Sequence, residues 1–314
     1  MKKGNITYAY LETTNYCNLD CSFCNRMDVI GPLNHMPLYK WEKLLEGISH
    51  HPIKEGKLMG MGEPMLHPYF DEVCRMFKET FPECKVIVAT NCQYKIKPGT
   101  KFRKKFEESL KYIDICYFSI DGYGEHYERD RAPAKWPVLI NFLEDFKTID
   151  RSKCKVPINY VVNAYNVDDI PKIEKFIDDY NLDGLRLNIA QIWDEDVKMG
   201  DDIATSGYSI DQLNYLKSNY KDIIMGKSVW DYDDCFWVNE GLYVTVEGHV
   251  KVCCMNTGAT PLGNLFEQSI DEIHKSDGYQ SIKMGCKTNN PTSHCINCSY
   301  KELTPILTHL EVQN

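Results

Sequence analysis

Three cysteines near the amino terminus have a spacing that suits a catalytic metal cluster. Cys17, Cys21 and Cys24 form a C-x3-C-x2-C pattern, which lets one short loop wrap three thiolates around a cube of iron and sulfide. Three ligands for four irons leave one iron open, and an open coordination position is typical of catalytic centres. Zinc sites usually pair two ligands with two more elsewhere, and no second pair lies nearby in the sequence. The triad favours an iron–sulfur cluster over zinc or buried structural cysteines.

A second group of cysteines lies in the last third of the chain. Cys235 precedes a segment whose apolar residues alternate about Glu247-Gly248, and Cys253 ends that segment. This pattern predicts a β-hairpin. Cys295-Ile-Asn-Cys298 follows, and Cys286 lies only a short loop before it, so Cys286 could replace one of the four. A hairpin with a C-x2-C pair is also how zinc ribbons are built, so zinc competes with iron–sulfur here.

The elements that must position these cysteines alternate along the first 190 residues. Short apolar runs predict strands at residues 7–12, 57–61, 85–89, 113–119, 157–162 and 185–189. Amphipathic stretches predict helices at residues 41–48, 70–77, 102–110, 136–149 and 170–180. Strands alternating with helices form βαβ units and a parallel sheet. Six strands are too few for an eight-stranded barrel, so we predict an α/β fold: a partial (β/α)6 TIM-like barrel with a small C-terminal β-hairpin/helix metal-binding domain.

The sequence divides into three predicted regions. Residues 1–190 form the barrel, and residues 191–228 form a bridging loop followed by a helix from Ser209 to Met225. Residues 229–314 form the auxiliary domain, with the hairpin and a helix from Asp271 to Met284.

The first cysteine group carries a specific resemblance. With aromatic Phe23 before its third cysteine, the triad resembles the radical S-adenosylmethionine superfamily. Gly60-Met61-Gly62-Glu63-Pro64, at the second strand, is similar to the family's Gly-Gly-Glu-Pro motif, with Met61 where the first glycine is usual. In the family this motif holds the methionine ammonium of the cofactor, so the resemblance assigns Gly62, Glu63 and Pro64 to cofactor binding. A lone Glu-Pro would otherwise indicate a turn.

Further family matches fall at the carboxyl ends of successive strands. Thr90-Asn91-Cys92 resembles the family's Thr-Asn-Gly, and the segment from Ser119 to Gly122 is similar to the one that contacts the ribose. Arg131 corresponds to the residue that pairs with the cofactor carboxylate, for which a guanidinium fork is suited. The resemblance thus implies a cofactor site that also includes Asn91, Ser119, Asp121, Arg131, Asn163 and Asn188.

The second cysteine group resembles the auxiliary-cluster domain called SPASM, or its shorter twitch form. Gly248, the segment from Leu262 to Leu265 and the helix from Ser269 carry this resemblance. It implies a second [4Fe-4S] cluster whose ligands are Cys235, Cys253, Cys295 and Cys298. Four protein ligands close a cluster, which favours substrate placement or electron transfer over cofactor binding.

Cys254 is the candidate catalytic residue. It follows Cys253 directly, and because neighbouring strand residues face opposite sides, its thiol is expected to point away from the cluster. A free cysteine is ordinarily a small buried apolar side chain. The functional alternative is a hydrogen-atom donor that quenches a substrate radical from the face opposite the abstraction.

The resemblance implies S-adenosylmethionine as cofactor and radical chemistry as the activity. Reductive cleavage gives a 5′-deoxyadenosyl radical, which removes a hydrogen atom from a substrate. Oxidation or epimerisation of a small hydroxyl- or amine-bearing molecule or peptide residue is expected, supplied with electrons by a flavodoxin- or ferredoxin-type donor. Peptide crosslinking and a non-catalytic iron–sulfur or zinc protein are the alternatives. The early start of the barrel leaves no room for a leader-peptide-binding domain before it, which lowers the expectation of a ribosomal peptide substrate.

Composition and charge indicate which partners and which cellular compartment to expect. The net charge of −9 over 314 residues argues against a nucleic-acid partner, and it fits a cationic or neutral substrate slightly better than an anionic one. No secretory signal or membrane-spanning apolar run is evident, so a cytoplasmic protein with no membrane partner is expected. In such a reducing compartment, clustered cysteines are metal ligands more often than disulfides.

Overall fold

The structure is a computed structural model that describes residues 5–151, 153–189, 207–224, 235–254, 259–293 and 295. The strands of this part are β1 (Tyr8–Leu11), β2 (Glu55–Lys57), β3 (Lys85–Thr90), β4 (Ile115–Ser119), β5 (Ile158–Val162), β6 (Leu185–Ile189), β7 (Gly241–Val244), β8 (His249–Lys251) and β9 (Gly263–Asn264). The helices are α1 (Arg26–Val29), α2 (Leu38–Ile48), α3 (Phe70–Thr80), α4 (Lys101–Leu110), α5 (Glu125–Asp130), α6 (Trp136–Phe146), α7 (Ile170–Asp179), α8 (Ile210–Ile224), α9 (Phe236–Glu240), α10 (Ile270–Lys275) and α11 (Asp277–Lys287).

The first six strands form a parallel sheet in which each strand pairs with the next one along the chain. Within the described residues the sheet runs β6-β5-β4-β3-β2-β1-β7-β8-β9 and its two ends do not pair, so it stays open. This arrangement confirms the predicted α/β partial barrel.

One face of the sheet packs against the helices. Alternate residues such as Ala9, Leu11, Val88 and Phe118 are fully buried in this core, as period-two strands require. The helices contribute their apolar stripes, and the indole of Trp41 donates a hydrogen bond of 3.1 Å to the carbonyl of Val73. The opposite, concave face of the sheet carries a mixture of polar, aromatic and apolar residues.

The predicted C-terminal hairpin is confirmed, and it extends the same sheet. Strand β7 pairs in parallel with β1, with Tyr8 opposite Gly241 and Leu11 opposite Val244, while β7 and β8 pair antiparallel. The hairpin turn contains Gly248 at φ +86°, a conformation that residues with a Cβ rarely adopt. Strand pairing thus connects the auxiliary region directly to the strand that precedes the first cysteine loop.

Two predicted elements differ from the structure. The second strand was expected at residues 57–61 but spans Glu55–Lys57. Beyond it, Gly60 and Gly62 lie so close to Glu12 and to the carbonyls of Thr14 and Tyr16 that a Cβ at either glycine would clash with them. The helix expected from Asp271 to Met284 is two helices, α10 and α11. Ser276 lies between them in an extended conformation, and its hydroxyl accepts a hydrogen bond from the Tyr279 amide as the N-cap of α11.

Several predicted features fall outside the described residues. They are Cys298 and residues 191–206 of the predicted bridging loop. The helix predicted after that loop is α8. Among the described residues, no helix has the length and apolar character needed to cross a membrane.

Candidate functional site

The first cysteine loop leaves β1 at the carboxyl end of the sheet and lies against the segment after α5. The amide of Asp20 donates to the Ala132 carbonyl at 2.6 Å, and the amide of Ser22 donates to the Asp130 carbonyl at 3.0 Å. Cys17 and Cys21 are half-buried and Cys24 is exposed. Two backbone hydrogen bonds thus fix a loop that presents three thiols on one side of the barrel mouth.

Hydrogen-bond donors surround these thiols. Asn91 Nδ2 lies 3.9 Å from Cys17 Sγ, and Arg131 Nη1 lies 4.0 Å from Cys21 Sγ. Burial raises the pKa of Cys21 to about 12, and the charge of Arg131 opposes that rise. Iron would deprotonate the thiols, and the resulting anionic cluster would be stabilised by the same donors. The residues present therefore fit a cluster with three cysteine ligands.

Arg131 joins several predicted site residues. Its Nε donates to Asp121 Oδ2 at 2.5 Å, and its guanidinium lies 5.6 Å from the centre of the Phe23 ring. Asp121 is fully buried, and its other carboxylate oxygen accepts a 2.6 Å hydrogen bond from the Val161 amide. The structure thus brings Phe23, Asp121 and Arg131 together beside Cys21.

Glu63 is anchored to the end of β3. Its carboxylate accepts hydrogen bonds from Thr90 Oγ1 at 2.7 Å, from the Asn91 amide at 2.7 Å and from the Met65 amide at 3.1 Å. Burial raises the pKa of Glu63 to about 7, and these hydrogen bonds oppose the rise. With both carboxylate oxygens engaged, Glu63 fixes the turn made by Gly62 and Pro64 against the Thr90-Asn91-Cys92 segment.

Cys92 lies where the motif that it resembles has glycine, and the backbone conformation of Cys92 explains why glycine suits this position. Its φ is +59°, in the left-handed region, and its side chain is fully buried. Glycine adopts this conformation without the steric cost of a Cβ. Cys92 therefore adopts a backbone conformation that glycine would adopt at a lower steric cost.

The remaining predicted cofactor residues lie farther along the sheet. Asn163 is buried. Its Nδ2 donates a hydrogen bond of 2.9 Å to Asp130 Oδ2, and its Oδ1 accepts one of 2.9 Å from the Tyr165 amide, so both polar atoms of the side chain have partners within the protein. Asn188 donates to Asn159 Oδ1 at 2.8 Å, and Asn159 pairs in register with Ser119. Asn188 and Ser119 therefore belong to a polar row across β4, β5 and β6, and Asn163 belongs to a turn.

Glu12 is a residue of this region that no sequence motif singles out. Its carboxylate accepts hydrogen bonds from the Met61 amide at 3.0 Å, the Tyr243 hydroxyl at 2.6 Å and the Val246 amide at 3.2 Å. It is 3% exposed. Glu12 thus joins β1, the glycine-rich turn and the C-terminal hairpin. Its partners are 49 to 234 residues away in the chain, so no local pattern could have revealed them.

The second group of cysteines converges beside a small apolar cluster. Cys235, Cys253, Cys286 and Cys295 all pack with Val238, Val252 and Ile282. The thiols of Cys286 and Cys295 are close enough to hydrogen-bond, and Cys235 and Cys253 also interact electrostatically with Cys295. Cys286 is 4% exposed on α11. The structure therefore brings three of the four predicted ligands together and adds Cys286 to them.

Cys254 lies near a different set of residues from Cys253. Burial raises the pKa of Cys254 to about 12, and the ammonium of Lys57 opposes that rise. Burial also raises the pKa of Tyr10, and the nearby Cys254 and, more weakly, Cys24 add to that rise. Tyr10 on β1 and Lys57 on β2 are register partners on the concave face of the sheet. Cys254 is thus close to the concave face, whereas Cys253 packs in the apolar cluster.

Comparisons with known proteins agree with this geometry. Residues 11–177 match the Radical SAM superfamily, and residues 235–299 match the SPASM iron–sulfur cluster-binding domain. The chain is 23% identical over 335 aligned positions to the tungsten-containing aldehyde ferredoxin oxidoreductase cofactor-modifying protein of Pyrococcus furiosus, covering 95% of this chain and 88% of that protein.

Solved structures share the fold at low sequence identity. SuiB of Streptococcus suis bound to S-adenosylmethionine has a TM-score of 0.68 and 17% identity, covering 96% of this chain and 72% of that one. BtrN in complex with AdoMet and 2-DOIA has a TM-score of 0.57 and 15% identity, covering 96% and 93%. The anSMEcpe structure with bound AdoMet has a TM-score of 0.62 and 14% identity, covering 98% and 97%.

The superfamily match spans more than half of the 314 residues. The chain is therefore a radical S-adenosylmethionine enzyme with a SPASM-type auxiliary domain, and its cofactors are S-adenosylmethionine and [4Fe-4S] clusters, including an auxiliary one.

Proposed function

We propose that this enzyme abstracts a hydrogen atom from a carbon of a small hydroxyl- or amine-bearing molecule or of a peptide residue, and that oxidation or epimerisation follows. The cofactors supply the chemistry: one electron cleaves S-adenosylmethionine to methionine and a 5′-deoxyadenosyl radical, which leaves as 5′-deoxyadenosine after taking the hydrogen. The chain supplies orientation and a site shielded from water. A flavodoxin- or ferredoxin-type protein is the proposed electron donor, and the cytoplasm the proposed location.

The position of Tyr10 carries this proposal. Tyr10 lies on the concave face of β1 between β2 and β7; the first cysteine loop follows β1, and the hairpin that begins with β7 leads to Cys253 and Cys254. A substrate on this face would therefore lie between the centre that generates the radical and the auxiliary region. That position suits abstraction on one side and a second chemical step on the other.

Residues of the first site have proposed roles in holding the cofactor. Cys17, Cys21 and Cys24 would bind three irons of the cluster. Arg131, oriented by Asp121, would pair with the cofactor carboxylate through its remaining guanidinium nitrogens. Because the carboxylate of Glu63 already accepts hydrogen bonds from Thr90 and the Asn91 amide, the backbone around Gly62 would contact the methionine ammonium. Ser119 and the polar row beyond it would contact the ribose.

The auxiliary cluster has five cysteine candidates for four ligand positions: Cys235, Cys253, Cys286, Cys295 and Cys298. We favour Cys286 as a ligand because it packs with Cys235, Cys253 and Cys295. Single serine variants of Cys286 and Cys298 distinguish the two. Loss of about four irons per chain identifies the ligand, and retention of about eight excludes the residue.

Cys254 bears on the choice between oxidation and epimerisation. A thiol on the concave face would return a hydrogen atom to the substrate radical and become a thiyl radical, which an electron from the donor protein and a proton from solvent would restore. Oxidation would instead pass one electron from the substrate radical to the auxiliary cluster and one proton to solvent. Turnover in deuterated water separates the two, because an exchangeable thiol would place deuterium on the product carbon. A product without deuterium would exclude Cys254 as the donor and favour oxidation.

Anaerobic reduction with dithionite in the presence of S-adenosylmethionine tests the activity itself. The expected products, 5′-deoxyadenosine and methionine in equal amounts, can be quantified by chromatography. An enzyme that carries a full complement of iron and forms neither product would contradict the proposal and favour a non-catalytic iron–sulfur protein.

A further inference from the structure

The first cysteine loop is joined to the end of β3 by two asparagines. Asn18 follows Cys17 in the loop, and Asn91 follows β3 directly. Asn91 Nδ2 donates a hydrogen bond of 2.7 Å to Asn18 Oδ1, while Asn18 Nδ2 donates one of 2.8 Å to the Gln93 carbonyl. The two bonds run in opposite directions between segments that lie 73 residues apart in the chain. Together they fix the loop residue beside Cys17 against the strand end.

The side-chain amide of Asn91 has a defined orientation. The backbone N–H of Gln93 donates to this amide at 2.9 Å, and because only the oxygen of the amide accepts, Oδ1 must face Gln93. The NH2 group therefore faces the loop. One of its protons bonds to Asn18, and the other is directed to Cys17 Sγ, which lies 3.9 Å from Nδ2. Asn91 is 6% exposed, so water has little access to this amide.

This N–H lies beside a sulfur that would carry negative charge as a cluster ligand. Burial raises the pKa of the Cys17 thiol, because a desolvated thiolate is disfavoured. A donor directed at the sulfur offsets part of that cost, and hydrogen bonds to cluster sulfurs are among the factors that set a reduction potential. Arg131, the donor beside Cys21, is proposed to share its guanidinium with the cofactor carboxylate. The amide of Asn91, in contrast, has both of its polar atoms engaged within the protein.

We propose that Asn91 raises the reduction potential of the first cluster, the one on Cys17, Cys21 and Cys24, through its N–H contact with Cys17 Sγ. Reduction adds negative charge to the cluster, and a donor at a sulfur stabilises that charge. Asn18 is the positioning residue that holds Asn91 for this contact. The assignment differs from the contact with S-adenosylmethionine that the family resemblance implies for Asn91. It rests on the proposed role of Cys17 as an iron ligand.

A redox titration of the anaerobic holoenzyme, followed by electron paramagnetic resonance, tests this assignment. The first cluster is recognised by the change of its signal when S-adenosylmethionine is added, since it is the cluster with an open iron. Asn91→Ala should make this cluster about tenfold harder to reduce, which lowers its potential by about 59 mV for one electron. Asn18→Ala leaves Asn91 without its fixed partner and should make the cluster about threefold harder to reduce.

The double variant separates positioning from a general weakening of the loop. If Asn18 acts on the cluster through Asn91, the potential of Asn18→Ala/Asn91→Ala should equal that of Asn91→Ala, because the contact that Asn18 supports is already gone. Asn219→Ala is the control, since Asn219 is exposed on α8, donates to the Tyr215 carbonyl at 2.8 Å and should not affect the potential. Asn18 is exposed, so Asn18→Ala should fold normally and keeps the test decisive if Asn91→Ala loses its iron.

Four outcomes would overturn the proposal. They are wild-type potentials in both iron-loaded single variants, an equal shift in the control, additive shifts in the double variant, and weaker S-adenosylmethionine binding by Asn91→Ala at an unchanged potential. The last would assign Asn91 to the cofactor. Iron content and formation of 5′-deoxyadenosine by the wild-type protein report on the proposed function separately. An active, iron-loaded enzyme whose potential is the same in wild type and both asparagine variants would therefore contradict only this inference.

Discussion

The two cysteine regions of this enzyme are built in opposite ways. Cys17, Cys21 and Cys24 lie on one loop of eight residues, and the donors around them come from distant elements such as Asn91 and Arg131. The second region collects Cys235, Cys253, Cys286 and Cys295 from separate segments around a small apolar cluster of their own. An open, reactive centre needs only a local loop with a supporting shell, whereas a closed cluster depends on the fold to bring its ligands together.

Removal of the first triad should produce the largest effect. In Cys17→Ala/Cys21→Ala/Cys24→Ala, formation of 5′-deoxyadenosine should fall below detection, because no cluster remains to deliver the electron. Iron should fall from about eight to about four per chain.

Cys154→Ala is the matched control, since Cys154 is buried in the core away from both groups. It should retain both the iron and the activity. A triad variant that still cleaved S-adenosylmethionine would show that the first cysteine region is not needed for cleavage, and would contradict the different roles assigned to the two regions.

Loss of the auxiliary cluster should leave the first centre in place. Cys253→Ala should lose about four irons per chain and fail to convert substrate, yet still form 5′-deoxyadenosine on reduction. Cys254→Ala should keep all of the iron, because Cys254 lies near the concave face. Iron analysis and chromatography of the two neighbouring variants provide the measurement, and identical iron losses would contradict the separate placement of the two thiols.

Glu12 tests the connection between the regions. Glu12→Ala leaves three donors, on Met61, Tyr243 and Val246, without their acceptor, and should lower the free energy of unfolding by about 3 kcal/mol. Binding of S-adenosylmethionine should also weaken, because the Met61–Gly62 turn loses its support.

Urea denaturation and equilibrium binding measure both effects. Glu144→Ala, which removes an exposed ion pair with Lys147, should change stability by less than about 1 kcal/mol. A Glu12 variant as stable as this control would show that the two regions are not coupled through the carboxylate.

Lowering the pH should reduce the stability of both regions by a similar, small amount. Burial lowers the pKa of His67, beside the first site, and of His274, in α10, each to about 4. Each histidine is neutral in the folded protein but takes up a proton below about pH 6.5 when unfolded, so stability falls as the pH falls from about 6.5 towards 4.

Between pH 7 and 5.5 each histidine should contribute a loss of about 1 kcal/mol. His67→Gln and His274→Gln should each reduce the pH dependence of the free energy of unfolding, measured by urea denaturation, by that amount. Variants that retain the full wild-type dependence would contradict these pKa shifts.

The sequence by itself determined what short-range patterns can encode. The spacing of Cys17, Cys21 and Cys24 predicted the cluster loop, and the alternation of apolar runs with amphipathic stretches predicted the open α/β barrel. The turn at Glu247-Gly248 predicted the hairpin, because turn chemistry and period-two alternation act over a few residues.

Tertiary structure decided what depends on distant partners. It determined the parallel pairing of β7 with β1, the three hydrogen bonds of Glu12 and the place of Cys286 beside Cys295. Each of these relations joins residues far apart in the chain. Bringing such residues together closes long loops of chain, which depends on the whole fold, so no local pattern of residue types records them.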